Sequence, residues 1–150
     1  MNRLNFMKLS IPARSANEGF SRAAVAAFAA LADPTVEELA DVKTAVSEAV
    51  TNCIVHAYGE ADGMICIDAS LYEGGALKIR IEDKGCGIPD VEKARRPFFT
   101  TMEDEDRSGM GFTVMESFMD RVDVISQVNS GTIVRMKKRL APACSLAREA

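Results

Sequence analysis

The sequence predicts an α+β sandwich, in which helices cover one face of a sheet. Apolar residues recur with a helical period over two segments before Gly59, whereas alternation with a period of two dominates after it. Helices grouped apart from a run of strands are typical of this class. The chain has 150 residues, of which 47% are hydrophobic and 27% are charged. That size and balance fit one domain with its own core.

An N-terminal strand and an alanine-rich helix are predicted first. Residues 4–11 alternate in part and end at Pro12, which favours a strand. Residues 15–31 have good helix propensity, and the spacing of Ser15 and Glu18 predicts a capping box at the start of the helix.

A second helix is predicted over residues 35–57. Thr35 and Glu38 have the spacing of another capping box. Apolar side chains at helical spacing form a stripe that predicts a buried face. Its members are Val42, Val46, Ala49, Val50, Cys53 and Ala57.

The rest of the chain predicts a sheet with short helices between its strands. The glycine-bearing turns at residues 73–75 and 129–131 are typical of hairpins. The predicted strands are residues 64–71, a segment around Leu77, Ile79 and Ile81, then residues 122–128 and 132–140. Short helices are predicted at 90–96 and 112–119, a polar loop at 100–111, and a flexible tail at 141–150 beyond a single domain at 1–140.

Composition and charge exclude several classes of protein. A formal net charge of −4 disfavours a general nucleic-acid binder. No apolar run reaches the roughly 20 residues that a membrane span needs, and no secretory signal is visible, so we expect a cytoplasmic protein with reduced cysteines. The four cysteines form no C-x-x-C pair and there is one histidine, which disfavours a zinc site.

The second predicted helix carries a candidate catalytic pair. Glu48 and Asn52 are four residues apart and so share one face. One interpretation is an ordinary solvated polar face. The other is a carboxylate base beside an amide oxygen that binds Mg²⁺, which takes oxygen ligands.

Two glycine-bearing segments could hold a ligand. Asp83 directly follows a predicted strand and precedes Gly85 and Gly87, so the segment is either a simple turn or a loop that lets a ligand approach the backbone. A second segment runs from Arg107 to Gly111, directly before a predicted helix. This segment is either a helix cap or a phosphate-binding site.

Other kinds of active site are absent from the sequence. It has no G-x-x-x-x-G-K-[ST] loop, no H-R-D catalytic loop and no G-x-S-x-G elbow. The single histidine, His56, lacks a plausible triad and is interpreted as a structural or pocket-rim residue.

The three segments together resemble the GHKL ATP-binding family. E-x-x-x-N at Glu48, D-x-G-x-G at Asp83 and G-x-G-F at Gly109 follow each other in that family's order. Within it, residues 47–52, 56–58, 97–101 and 107–116 closely resemble the sporulation anti-sigma factors, which are small serine kinases. The resemblance covers nearly the whole chain and implies the Bergerat fold, with a mixed, mostly antiparallel sheet.

The resemblance also implies roles for individual residues. Glu48 would be the general base, Asn52 would hold Mg²⁺, and Asp83 would accept a hydrogen bond from the adenine amino group. Arg107 would contact the γ-phosphate as a second catalytic group. Gly85, Gly87, Ile88 and Thr132 would line the base pocket, and Thr100, Thr101, Ser108, Gly109, Met110 and Gly111 would wrap the phosphates of ATP or ADP.

Partners follow from the resemblance alone. It implies a sporulation sigma factor of the sigma F type, an anti-anti-sigma protein phosphorylated on serine, and a homodimer. It places Arg22 on the partner surface. Three alternatives stay open. They are a nucleotide-gated sigma-binding protein without kinase activity, a serine kinase of the stress-response branch, and an isolated histidine-kinase catalytic domain or GHKL ATPase fragment.

Overall fold

The computed structural model describes residues 2–59, 61–96 and 111–141. Strand β1 (Arg3–Pro12) leads into helix α1 (Ala16–Ala29), a 3-10 turn (Ala30–Ala32), helix α2 (Val36–Asn52) and a π-helical turn (Cys53–Tyr58). Then come β2 (Met64–Tyr72), β3 (Ala76–Asp83), α3 (Val91–Ala94), α4 (Gly111–Phe118), β4 (Arg121–Gln127) and β5 (Gly131–Arg139). The predicted loop at 100–111, apart from Gly111, and the predicted tail beyond residue 141 lie outside the described residues.

The described strands form a five-stranded sheet in the order β1-β2-β3-β5-β4, with every pairing antiparallel. Alternation places Ile67, Ile81 and Val134 on adjacent strands of one face, where they are buried. The predicted apolar stripe packs in the same core at Val42, Val46, Ala49, Val50 and Cys53. Its last predicted member, Ala57, is only half-buried and lies in the π-helical turn. The predicted sandwich, with helices on one face of the sheet, is therefore confirmed.

The start of α1 differs from the prediction. Ser15 precedes the helix with φ −53° and ψ −36°, which is helical backbone, and its side chain makes no capping hydrogen bond. A capping residue needs an extended backbone to aim its oxygen at the first free N–H groups. Glu18 instead lies 3.4 Å from Arg22 in an ion pair. The predicted Ser15–Glu18 capping box is therefore wrong.

The start of α2 matches the prediction. Thr35 Oγ1 accepts from the Glu38 N–H at 3.1 Å, and Glu38 Oε1 accepts from the Thr35 N–H at 2.9 Å. The other carboxylate oxygen of Glu38 accepts from the Ala141 N–H at 2.9 Å. Partial burial acts to raise the pKa of Glu38, but the bonds from Ala141 and Thr35 hold it below its ordinary value. This one carboxylate thus joins the start of α2 to the end of β5.

Replacing Glu38 with alanine is expected to lower the free energy of unfolding by about 1–2 kcal/mol at neutral pH, because the capping box and the Ala141 bond are both lost. The folded-state pKa of Glu38 is depressed, so its contribution is present above an ordinary value of 4.5 and is lost as pH falls through the folded value. Urea unfolding at pH 7 and pH 3 measures this. A difference between wild type and variant that is as large at pH 3 as at pH 7 would contradict the linkage.

The end of α2 also differs from the prediction. The regular α-helix ends at Asn52, and the segment predicted to continue it is a π-helical turn over Cys53–Tyr58. Such turns are rare overall, but those that occur often lie at functional sites.

Among the described residues, none of the helices combines the length and apolarity needed to cross a membrane.

Helix α4 is held against α2 at its C-terminal end. Lys138 of β5 donates to the Phe118 carbonyl at 2.7 Å and lies 3.4 Å from Asp41 of α2. The Lys138 side chain is only 12% exposed, so this contact is sheltered from solvent. It fixes the helix whose N-terminus, at Gly111, reaches the candidate site.

Candidate functional site

Glu48, Asn52 and Gly111 meet at the start of α4. Glu48 and Asn52 lie one turn apart on α2, and Gly111 is the first residue of α4. A β-carbon on Gly111 would lie 3.3 Å from both terminal atoms of the Asn52 side chain and 3.4 Å from Glu48 Oε2. Glycine therefore lets the helix N-terminus approach both polar side chains. The structure brings these three predicted residues together.

The donor set here fits a magnesium ion better than a transition metal. Asn52 offers an amide oxygen and Glu48 a carboxylate oxygen beside the backbone N–H groups at the start of α4. Magnesium is commonly held by one or two protein oxygens together with phosphates and water. Among residues 2–59, 61–96 and 111–141, no group of three or more histidine, cysteine or acidic side chains is placed to hold a metal. A metal here would thus depend on the phosphates of a ligand.

Asp83 occupies the other end of the site, at the last position of β3. It is 4% exposed and pairs in the sheet with Thr132 of β5. The Gly85 N–H donates to Asp83 Oδ1 at 3.0 Å, and the Cys53 thiol and the Thr132 backbone also donate to the carboxyl. Cys53 directly follows Asn52, so this hydrogen bond joins the two ends of the site.

The electrostatics of this end keep Asp83 poised as an acceptor. Burial raises the pKa of the Asp83 carboxyl above its ordinary value of 3.8, and the bonds from Gly85, Cys53 and Thr132 oppose that rise. Burial, together with the negative charge of Asp83, raises the pKa of the Cys53 thiol well above its usual range. Cys53 is therefore a neutral donor, and the carboxyl gains from any further donor that reaches it.

The glycines of this loop allow close backbone packing. Gly87 has φ +75°, and a β-carbon there would lie 2.2 Å from the Gln127 carbonyl oxygen. A β-carbon on Gly85 would lie 2.4 Å from the Ala57 carbonyl oxygen. No other residue fits either position without a shift of the backbone. Ile88 follows, and its N–H donates to Ser126 at 2.7 Å.

Several residues of the site were not predicted from the sequence. Ser126 Oγ lies 2.7 Å from Thr132 Oγ1 as well as accepting from Ile88, so it ties β4 and β5 to the glycine loop. Gly131, with φ +108°, passes so close to Asp83 that a β-carbon would lie 2.1 Å from its carbonyl oxygen. No local spacing reveals the partners of Ser126, and the Asn-Ser-Gly turn at Gly131 indicates a hairpin but not its approach to Asp83.

Arg22 lies apart from this site, on α1. Its guanidinium donates to Ser47 Oγ at 3.3 Å and to Glu18 at 3.4 Å, and its side chain is 45% exposed. It borders a groove of about 430 Å³ between α1 and α2, which alanines and Lys43 also line. Ser47 directly precedes Glu48 on α2, so Arg22 contacts the residue beside the candidate base.

The predicted phosphate-wrapping segment lies outside the described residues, apart from Gly111. Its predicted members there are Thr100, Thr101, Arg107, Ser108, Gly109 and Met110. Their roles stay predictions.

Comparison with known proteins gives concordant matches. The profile of the histidine kinase-like ATPase domain family matches residues 11–138. An anti-sigma F factor of Thermoanaerobacter sp. (strain X514) is 54% identical over 138 residues, which cover 92% of this chain and 96% of that relative.

Solved structures share the fold at low identity. The RsbU and RsbW domains of a Mycobacterium tuberculosis protein match with a TM-score of 0.65 at 18% identity, over 91% of this chain and 32% of that one. Full-length ShkA in complex with AMPPNP matches with a TM-score of 0.55 at 20% identity, over 70% of this chain and 22% of that one. Since the family profile spans most of the sequence and the bacterial relative matches nearly end to end, the chain belongs to the histidine kinase-like ATPase family, in the group of the anti-sigma F factors.

Proposed function

We propose that this chain is an ATP-dependent serine kinase that also sequesters a sporulation sigma factor of the sigma F type. The observation that carries the proposal is the meeting of Glu48, Asn52 and Gly111 at a helix N-terminus. The family supports a nucleotide ligand, since its description is that of an ATPase domain and ShkA, which shares the fold, was solved with AMPPNP. A protein that only binds a sigma factor needs no base, so the carboxylate of Glu48 favours a transferase.

The proposed reaction moves the γ-phosphoryl group of ATP to a serine hydroxyl. Glu48 accepts the hydroxyl proton as the serine oxygen bonds to the γ-phosphorus and the bond to the β-phosphate oxygen breaks, releasing ADP. The N–H groups at the start of α4 face the phosphates, since Gly111 keeps that approach open. Bound magnesium would neutralise phosphate charge, with the Asn52 oxygen as its protein ligand. Arg107 would add positive charge at the γ-phosphate.

Asp83 orients the other end of the nucleotide. Its buried carboxylate accepts a hydrogen bond from the adenine amino group, and Gly85, Gly87, Ile88 and Thr132 surround the base. Burial strengthens this hydrogen bond because no water competes for the acceptor. Thr100, Thr101, Ser108, Gly109 and Met110 complete the phosphate end.

The proposed partner surface is the groove between α1 and α2. The Thermoanaerobacter relative is named an anti-sigma F factor. Arg22 borders the groove, and the small side chains of α1 there let another helix approach closely. A second copy of the chain would pair through β1, an edge strand whose Leu4 and Phe6 are 64% and 50% exposed.

Replacing Arg22 with alanine is expected to weaken binding of the sigma factor about tenfold, since arginines at protein interfaces commonly contribute this much. Surface plasmon resonance with Mg·ATP present measures it. Arg121→Ala is the matched control, because Arg121 is 72% exposed on the opposite face of the sheet. Equal affinities for wild type and Arg22→Ala would place the sigma factor elsewhere.

Transfer of label from γ-labelled ATP to a purified anti-anti-sigma protein tests the kinase proposal. Label on that protein supports it. If the chain binds the sigma factor but transfers no label, it is a sequestering protein without kinase activity. If it hydrolyses ATP without labelling the anti-anti-sigma protein, it is an ATPase.

A further inference from the structure

The end of the π-helical turn is bonded to the glycine loop that follows Asp83. The Lys84 N–H donates to Tyr58 Oη at 2.6 Å, and the Cys86 N–H donates to the Ala57 carbonyl at 3.0 Å. The Cys86 thiol donates to the His56 carbonyl at 3.2 Å. Three consecutive residues of the turn thus accept hydrogen bonds from this loop. These bonds fix the position of the loop relative to α2.

The hydroxyl of Tyr58 is held in place from two sides. Besides accepting from Lys84, it donates to the Met64 carbonyl at the start of β2, at 2.7 Å. The ring packs on Gly63 so closely that a β-carbon there would lie 2.3 Å from a ring carbon. Neither the ring nor its hydroxyl can therefore shift without breaking a contact. The Lys84 N–H is fixed as a result.

We propose that Tyr58 is a positioning residue for adenine recognition, acting through Asp83. The Lys84 N–H belongs to the peptide that joins Asp83 to Lys84, so the bond to Tyr58 fixes that peptide beside the Asp83 side chain and at the start of the turn that brings the Gly85 N–H to Asp83 Oδ1. The Gly85 bond, together with those from Cys53 and Thr132, sets the orientation of the carboxylate. Tyr58 itself does not contact the nucleotide. The inference rests on the proposed function, because it takes Asp83 as the acceptor for the adenine amino group.

The π-helical turn gives this arrangement its geometry. It begins directly after Asn52, at the phosphate end of the site, and ends at Tyr58, beside the base end. Its last carbonyl groups, at His56 and Ala57, accept from the glycine loop. One short segment therefore sets the distance between the two ends.

The test compares Tyr58→Phe with Tyr72→Phe, which alters the other tyrosine of the chain. Tyr72 ends β2, and Lys78 lies 4.8 Å from its ring. Affinities for ATP and for inosine triphosphate, which lacks the amino group, are measured by calorimetry. Wild type and Tyr72→Phe are expected to prefer ATP. Tyr58→Phe is expected to bind ATP about five- to tenfold more weakly, the effect of one hydrogen bond, with unchanged affinity for inosine triphosphate.

Equal losses for both nucleotides would overturn the inference, since they indicate a purely structural role. If the wild type binds ATP and inosine triphosphate equally, Asp83 does not recognise the adenine amino group and the inference is wrong. If the wild type binds neither nucleotide, the proposed function itself is contradicted. If Tyr58→Phe melts below the assay temperature, Gly63→Ala displaces the ring while retaining the hydroxyl. It is expected to reduce the preference for ATP in the same way, and an unchanged preference would overturn the inference.

Discussion

Replacing Glu48 with glutamine is expected to slow phosphoryl transfer by about 10²–10⁴-fold and to leave the affinity for Mg·ATP near that of wild type. Glutamine keeps the size and the hydrogen-bonding reach of the side chain but cannot accept a proton at neutral pH. The loss should therefore appear in kcat rather than in KM. Single-turnover transfer of labelled phosphate, with nucleotide affinity measured separately, gives both quantities.

The matched control for this change is Glu37→Gln. Glu37 is an exposed carboxylate in the first turn of the same helix, about three turns before Glu48. Its loss should leave the transfer rate unchanged. A Glu48→Gln variant that transfers phosphate at the wild-type rate would show that another group accepts the proton.

Replacing Asp83 with asparagine is expected to weaken ATP binding about ten- to a hundredfold, because a hydrogen bond to a buried charged acceptor is lost. The amide has one acceptor oxygen, which the Gly85 N–H already engages in the folded chain. The NH₂ group of the asparagine then faces the adenine amino group, and two donors cannot form a hydrogen bond with each other. Calorimetric titration with ATP measures the effect.

The stability of this variant separates loss of binding from loss of fold. Because the folded-state pKa of Asp83 is raised, wild type loses stability as pH rises from the ordinary value of 3.8 through the folded value, and the variant lacks that dependence. Asp68→Asn is the control, since Asp68 pairs with Arg80 on the open face of the sheet and is not among the groups that shift the pKa of Asp83. ATP affinity that survives in a folded Asp83→Asn variant would reject the adenine assignment.

Local patterns in the sequence predicted the elements of the fold well. The period of two in β2 and β3 and the Thr35–Glu38 box at the start of α2 depend on near neighbours, and each is confirmed. The Ser15–Glu18 box failed because the backbone at Ser15 is helical, with φ −53° and ψ −36°, so its side chain makes no capping hydrogen bond. Residue spacing does not encode the backbone angles of the position before a helix.

The site was predictable in its residue types but not in its connections. The spacing of Glu48 and Asn52 places them on one face, yet only the fold brings Gly111 beside them. The π-helical turn after Asn52 accepts hydrogen bonds from the glycine loop, and the bond between Tyr58 and Lys84 spans 26 positions of the chain. Contacts of that sequence separation leave no periodic signal.

Phosphosite mapping after mixing the purified chain with Mg·ATP and an anti-anti-sigma protein tests the central claim most directly. We predict one phosphoserine on the anti-anti-sigma protein, formed by wild type and not by Glu48→Gln. An unmodified partner beside phosphohistidine on the chain itself would contradict the claim.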